Sequence, residues 1–345
     1  MPSLDLQQLT QSASSISAAY LNSVLPRLAA HYQLELEPLL INAGLSGQML
    51  QQPDALVPLL QAGAVFLQIL QATQDHGLGL TAGSLVQPRS YQVLGYAVLS
   101  SSTLAEAIDR LIRYEKLVGK LGSTELIRVG DQCQLRWHCP LQGEWTRYLK
   151  EAAISGWVTF ARSLLPDSIA PDAVYFEHAA QIPLQRYHDV LHCPVVMAAD
   201  WSGVAFPAAL LTTPITSADP GLRALMDAQA QQLLQDFDAT TNLVNEVRAQ
   251  IAQRLPNGEP TLETVAQGLN LSMRTLQHRL KNNGVAFKDL VDSVRRLLVL
   301  HYLQDQRWAL IDVAFLLGFS EQSAFSRAFK RWYGEAPQEY RKRLQ

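Results

Sequence analysis

The chain has 345 residues, of which 48% are apolar and 17% charged, enough for two domains with buried cores and too apolar for a disordered protein. Its formal net charge of −3 hides a division: residues 240–345 hold 15 Lys and Arg against 10 Asp and Glu, and the preceding residues 13 against 21. A basic end on an acidic chain is the electrostatic footprint of phosphate contact, with the acidic part facing away from it.

The first residues lack a basic run followed by an apolar one, and the stretch 12–17 is polar and Ser-rich. The most apolar window, 55–70, is interrupted by Pro58, Gln61, Gly63 and Gln68, so no membrane span is expected and the chain reads as cytoplasmic. Apolar spacing predicts helices over 16–32, 37–43 and 57–75, then a Gly-rich turn at 77–79. Thr103, with Glu106 three residues later, predicts a capping box on a helix that ends near Leu117. Strands are expected over 125–129 and 133–139, a helix over 146–164, a strand over 173–178 and an extended segment with Trp201, Val204 and Phe206-Pro207. This is a mixed α+β domain.

Cys133, Cys139 and Cys193 are odd in number and lack CxxC spacing. His138-Cys139 and His192-Cys193 can each offer one metal ligand at most, because neighbours on a strand point to opposite faces. Reduced core thiols are the better reading, and neither metal nor cofactor is expected. A phosphate loop, a nucleophile elbow and HExxH are all missing, so an enzyme is not expected. Leu222, Leu225, Met226, Leu233, Leu234 and Phe237 form a helical stripe that packs either on its own domain or on a second subunit. The polar run 238–242 reads as a linker, giving a first domain 1–238, a linker 239–243 and a second domain 244–345.

The second domain contains an internal repeat. Val265-Ala266, Leu269 and Leu271-Ser272 become Val313-Ala314, Leu317 and Phe319-Ser320 at a shift of 48, while Leu276, Leu280 and Lys281 match Phe325, Phe329 and Lys330 at a shift of 49. Each copy reads as a short helix with a small Ala, a tight turn at Asn270 or Gly318, and a second helix whose polar side faces outward, toward a major groove. The first polar side carries Arg274, Gln277, His278 and Lys281; the second carries Gln322, Ser323, Ser326, Arg327 and Lys330, with Arg331 beyond. Arg suits guanine and Gln adenine, while Lys281, Lys330 and Arg331 lie further along and suit phosphates.

Residues 242–344 resemble the DNA-binding domain of the AraC/XylS family of bacterial transcription regulators. The resemblance rests on Asp312-Val313-Ala314, Gly318-Phe319-Ser320, the run from Phe325 to Gly334, Pro337 and Tyr340-Arg341. It implies an all-α domain with two helix-turn-helix units, 261–282 and 309–332, joined by a helix over 287–304. The apolar positions of that helix, Leu290, Val294, Leu297, Leu298 and Tyr302, form a stripe, and its Arg295 and Arg296 suit a salt bridge or DNA equally. Carried over by position, Arg274, Gln277, His278, Gln322, Ser323, Ser326 and Arg327 are the base-reading candidates. Trp308-Ala309 departs from the family's usual Ser or Pro start and leaves the next helix without an obvious cap, a loss of about 1 kcal/mol.

The first domain resembles the arabinose-binding-like regulatory domain of a subgroup that includes ornithine-utilisation regulators. Its marks are Leu94-Gly95-Tyr96 with Ser100 to Leu104, His192-Cys193-Pro194-Val195, and Phe206 to Leu211 before Asp219-Pro220. This implies a sensor for an unknown small-molecule effector and a dimerisation module. Arg89, Tyr91, Tyr96, Trp137, His138 and Trp145, with Trp157, are its pocket candidates, though structural core suits each aromatic better. The expectation is an effector-responsive activator that binds double-stranded promoter DNA as a homodimer and contacts RNA polymerase. An effector-independent architectural protein stays open, as does a repair-type enzyme fused to a DNA-binding domain, which would need a cysteine of low pKa.

Overall fold

The computed structural model describes residues 14–52, 55–166, 169–282, 285–304 and 307–343. Ser12 therefore lies outside the described residues, as do the side chains of Leu297 and of 238–242. The chain divides into two units, Met1–Gln235 and Asp236–Gln345.

The first unit begins with β1 (Ser15–Ser17), and Ser17 then caps α1 (Ala18–His31) by accepting from the Tyr20 amide at 3.3 Å. α2 (Leu36–Asn42) and α3 (Gly47–Leu50) follow. β2 (Leu56–Pro58) pairs antiparallel with β1 and runs directly into α4 (Leu59–Thr73). Helical periodicity does not resolve these three-residue strands, so the helix expected from 57 starts two residues later.

The expected turn at 77–79 is instead a helix start: Gly77 is the N-cap of α5 (Leu78–Ser84). Its glycines serve close packing rather than turning. A Cβ on Gly79 would lie 2.7 Å from the Tyr148 Cα, and one on Gly83 would collide with Ser155 Oγ and the Ala152 carbonyl. Asp75 ties this corner together, accepting from Tyr32 Oη at 2.5 Å, the Gly77 amide at 2.8 Å and both Arg186 amino groups at 2.5 and 2.6 Å. Burial pushes Asp75 up, but hydrogen bonds from Arg186, Tyr32 and Gly77 outweigh it and hold the carboxyl at about 2.

Next come α6 (Gln92–Leu99) and α7 (Leu104–Tyr114). Thr103 caps α7 as expected, but Glu106 reaches back to the Ser102 amide at 3.2 Å, one residue earlier than a capping box requires. The hairpin of β3 (Ser123–Val129) and β4 (Gln132–His138) leads into α8 (Thr146–Arg162). β5 (Ala173–Tyr175), α9 (Leu184–Leu191), β6 (Val195–Val196) and β7 (Gly203–Pro207) complete a five-stranded sheet of order β3-β4-β7-β5-β6, parallel only between β5 and β6. Cys133, Leu135, Val204 and Phe206 pack from the sheet against Leu80, Ile154 and Val158 of α5 and α8.

α10 (Pro220–Arg254) crosses the division between the units, and the run 238–242 read as a linker has helical backbone within it. No Gly or Pro interrupts that run. Its first turns dock on α7, where Arg110 donates to both Asp227 oxygens at 2.9 and 2.7 Å and Arg223 to Glu106 at 3.0 Å. Ala230 and Leu234 pack there too, whereas Leu222 and Leu225 stay exposed.

The second unit continues with α11 (Leu262–Gly268), α12 (Met273–Asn282), α13 (Phe287–Gln304), α14 (Leu310–Leu316), α15 (Gln322–Tyr333) and α16 (Pro337–Arg343). It has two cores, and α13 serves both. Leu290, Val291 and Val294 pack with Val247, Ile251, Val265, Leu276 and Leu280; Val299 and Leu303 pack with Val313, Leu317, Phe325 and Phe329.

Candidate DNA interface and sensor cavity

Each helix pair of the second unit is held by the small residue the sequence marked. Ala266 and Ala314 are buried at 1% and 0% exposure, where a larger side chain would part the helices. Asn270 and Gly318 adopt φ of 55° and 68°, the left-handed backbone that lets the chain reverse between them. Gly318 has a further reason to lack a side chain, since a Cβ there would come within 2.6 Å of the Gly258 carbonyl oxygen. Ser272 starts α12 by accepting from the Thr275 amide at 3.0 Å. At the start of α14, Ala309 has no side chain to cap with, and Asp312 accepts from the Ala309 amide at 3.0 Å instead.

With Leu276 and Leu280 buried, α12 presents Arg274, Gln277, His278 and Lys281 to solvent. With Phe325, Ala328 and Phe329 buried, α15 presents Gln322, Ser323, Arg327, Lys330 and Arg331, and Ser326 is half-buried. The two arginines of α15 differ in their partners. Arg327 pairs with Glu321 at 3.3 Å and donates to Ser323 Oγ at 3.3 Å. Hydrogen bonds from Ser323 and Arg327 pull the Glu321 carboxyl below its usual range. Arg331 is held by Asp292 of α13 at 2.9 Å, an ion pair that sequence spacing did not reveal.

Arg295, the residue left between salt bridge and DNA, is turned inward. Its Nε donates to the Leu317 carbonyl at 2.9 Å and its Nη2 to the Gly318 carbonyl at 3.1 Å, and the guanidinium lies 4.1 Å from the Phe319 ring centroid. Glu259 approaches at 3.5 Å. Arg295 thus pins the second turn to α13.

The first unit holds an apolar cavity of about 190 Å³. Of the pocket candidates, Tyr91, Trp137, Trp145 and Trp157 line it, whereas Arg89, Tyr96 and His138 do not. The reasons are local. His138 follows Trp137 on β4 and faces the other way, where its Nε2 meets Glu125 at 2.6 Å. Tyr96 is on the side of α6 opposite buried Leu94 and Val98, and Arg89 is exposed in the turn Pro88–Tyr91. Sequence reading missed Tyr20, Gly63, Glu115 and Thr124, which the fold brings to the wall from four separate elements or turns.

Burial pushes the Cys193 thiol up to about 11 and raises that of Cys139, the opposite of an activated nucleophile. Among the described residues, no three His, Cys, Asp or Glu side chains converge on a metal-sized site. Among the same residues, no helix is long and apolar enough to cross a membrane.

Comparison with known proteins agrees with both units. Residues 34–215 match the family described as the arabinose-binding domain of AraC transcription regulators, N-terminal, and residues 265–343 match a helix-turn-helix domain family. The ornithine utilization regulator of Pseudomonas aeruginosa is 28% identical over 337 residues, 97% of this chain and 98% of that one. An uncharacterized HTH-type transcriptional regulator of Mycobacterium bovis is 29% identical over 305 residues, 85% of this chain and 87% of its own. The HTH-type transcriptional regulator VirS of Mycobacterium tuberculosis is 34% identical over 167 residues, 48% of each chain. A regulatory domain matched over more than half of the chain, followed by two helix-turn-helix units on one connecting helix, makes this protein a member of the AraC family of transcription regulators.

Proposed function

We propose that this regulator is an effector-responsive activator whose monomer lays α12 and α15 into successive major-groove faces, about 34 Å apart along the DNA. The observation that carries the proposal is the pair of exposed polar helix faces, each backed by its own core and both fixed to α13. Arg274, Gln277 and His278 read bases in the first groove, and Gln322, Ser323, Ser326 and Arg327 in the second. Lys281 and Lys330 contact phosphates. Arg331 does so only by sharing its charge with Asp292, so its part in affinity is smaller. The protein acts as a homodimer in the cytoplasm, and effector binding in the first unit changes how the DNA-binding units engage promoter DNA and RNA polymerase.

The test is selection of bound sequences from a random DNA pool, followed by variants on the selected site. Arg327→Ala is expected to weaken that site by about 1 to 3 kcal/mol and leave unrelated DNA almost unchanged. Lys330→Ala is expected to weaken all sequences alike and reduce the salt slope by about 1. An equal loss on all DNA for Arg327→Ala would make it a phosphate contact.

A further inference from the structure

Gly63 sits in the middle of α4, where glycine costs about 0.5 to 1 kcal/mol relative to alanine, yet a Cβ built there meets nothing within 4 Å. Packing does not require this glycine. What lies beside it is the cavity of the first unit, whose wall includes Gly63. The cavity's polar inventory is short. Among the described residues, no Lys, Arg or His lines it, and Glu115 is its one carboxyl group. Glu115 Oε1 accepts from the Thr124 amide at 2.9 Å and Oε2 from Thr124 Oγ1 at 2.5 Å, which leaves acceptor capacity on a carboxylate that has about four lone-pair sites. The Trp145 indole N–H, in the same wall, is buried without a hydrogen-bond partner. Tyr20, Tyr91 and Tyr148 add hydroxyls whose pKa burial raises further, and that of Tyr148 already accepts from Arg147 Nη2 at 2.7 Å.

We infer that this cavity binds an effector with an apolar body and a single hydrogen-bond-donating head, an amine or an alcohol, docked on Glu115. The inference rests on the effector-responsive reading given above. A sugar carries a hydroxyl on nearly every carbon, and each one buried without a partner is penalised by about 1 to 3 kcal/mol, more than this wall can satisfy. An α-amino acid or a phosphorylated metabolite brings an anion, which would face Glu115 with no cation in the wall to offset it. An apolar amine or alcohol fills the space beside Gly63 and donates to the free acceptor sites of Glu115. A second cavity of about 370 Å³ shares Tyr91, Leu94, Leu111 and Trp157 with the first and adds Arg162 and His192, with the Arg162 guanidinium held by the Val190 and Leu191 carbonyls at 3.0 and 2.6 Å; the ligand body is therefore assigned to the first cavity.

The test uses the full-length protein and three probes that share one body: 4-phenylbutylamine, 4-phenyl-1-butanol and 4-phenylbutyrate, with arabinose and ornithine alongside. Binding is read from the fluorescence of the wall tryptophans and from the melting temperature, and response from affinity for the selected DNA site. The amine and the alcohol are expected to change the fluorescence and raise the melting temperature by several degrees near saturation, while the other three do neither. Gly63→Leu is expected to abolish both shifts while melting, ligand-free, no lower than the parent. Glu115→Gln is expected to weaken the amine by about tenfold or more and the alcohol far less. Tighter binding of 4-phenylbutyrate, arabinose or ornithine, no binding of the amine and alcohol, or unchanged binding by Gly63→Leu overturns the inference. If the amine and alcohol bind but DNA affinity does not respond, the cavity assignment stands and the effector reading falls. If arabinose or ornithine alone binds and alters DNA affinity, the reverse holds.

Discussion

Arg295 keeps a full charge at 5% exposure because two backbone carbonyls, an aromatic face and Glu259 together replace its water. Arg295→Met would leave the Leu317 and Gly318 carbonyls buried without donors, so a loss of about 2 to 4 kcal/mol is expected in urea unfolding of the second unit. Affinity for all DNA should fall together, unlike the selective loss at Arg327. Sequence alone could not decide this residue, because its partners lie 22 and 23 positions away. Asp75 makes a separate claim on pH. Its carboxyl lies at about 2 in the folded protein against 3.8 ordinarily, so its contribution is complete above about 3.8 and is lost as pH falls toward 2. Asp75→Asn should destabilise the first unit by about 1 to 2 kcal/mol at neutral pH, a figure reduced because the Arg186 side chain is 37% exposed. The difference from the parent should vanish in acid melts near pH 2.

Among elements, the glycines of α4 and α5 make a contrast that calorimetry can check. Gly63→Ala is expected to stabilise by about 0.5 to 1 kcal/mol, because the helix gains propensity and the methyl enters open space. Gly83→Ala is expected to destabilise by about 1 to 3 kcal/mol or more, because α5 would have to move off α8. Of the two, only Gly63 falls in a helix expected from the sequence, and nothing local shows that Gly83 is the one packed against a neighbour. The same limit explains why Gly77-Leu78-Gly79 read as a turn: what makes glycine useful there is a helix about 70 residues further on. Elements whose period is long relative to their context were legible, including the β3–β4 hairpin, α8 and both helix pairs of the second unit. β1, β2 and β6, with three, three and two residues, are too short for alternation to register. α9 was missed too, although Tyr187 and Leu191 sit four apart on its buried side.

At the scale of the molecule, the two units have separate cores, so heating should give two transitions in calorimetry, the DNA site raising one and a cavity ligand the other. A single transition moved equally by both would mean that α10 couples them into one cooperative body. The two helix pairs of the second unit were readable because the repeat compared the chain with itself; the cavity was readable only in part, since Tyr91, Trp137, Trp145 and Trp157 were among the candidates but Tyr20, Glu115 and Thr124 come from positions that no spacing connects. α13 has a consequence for how such a regulator can change. It is 18 residues long, about 27 Å, and carries one core at Leu290, Val291 and Val294 and another at Val299 and Leu303. Adding one residue between Val294 and Val299 would turn everything beyond it by about 100°, which in the proposed binding mode carries α15 off the face of the duplex. On the proposed binding mode, the interval between the two half-recognition sequences is a fixed phase, and new target sites open through the letters read, not through the spacing between them.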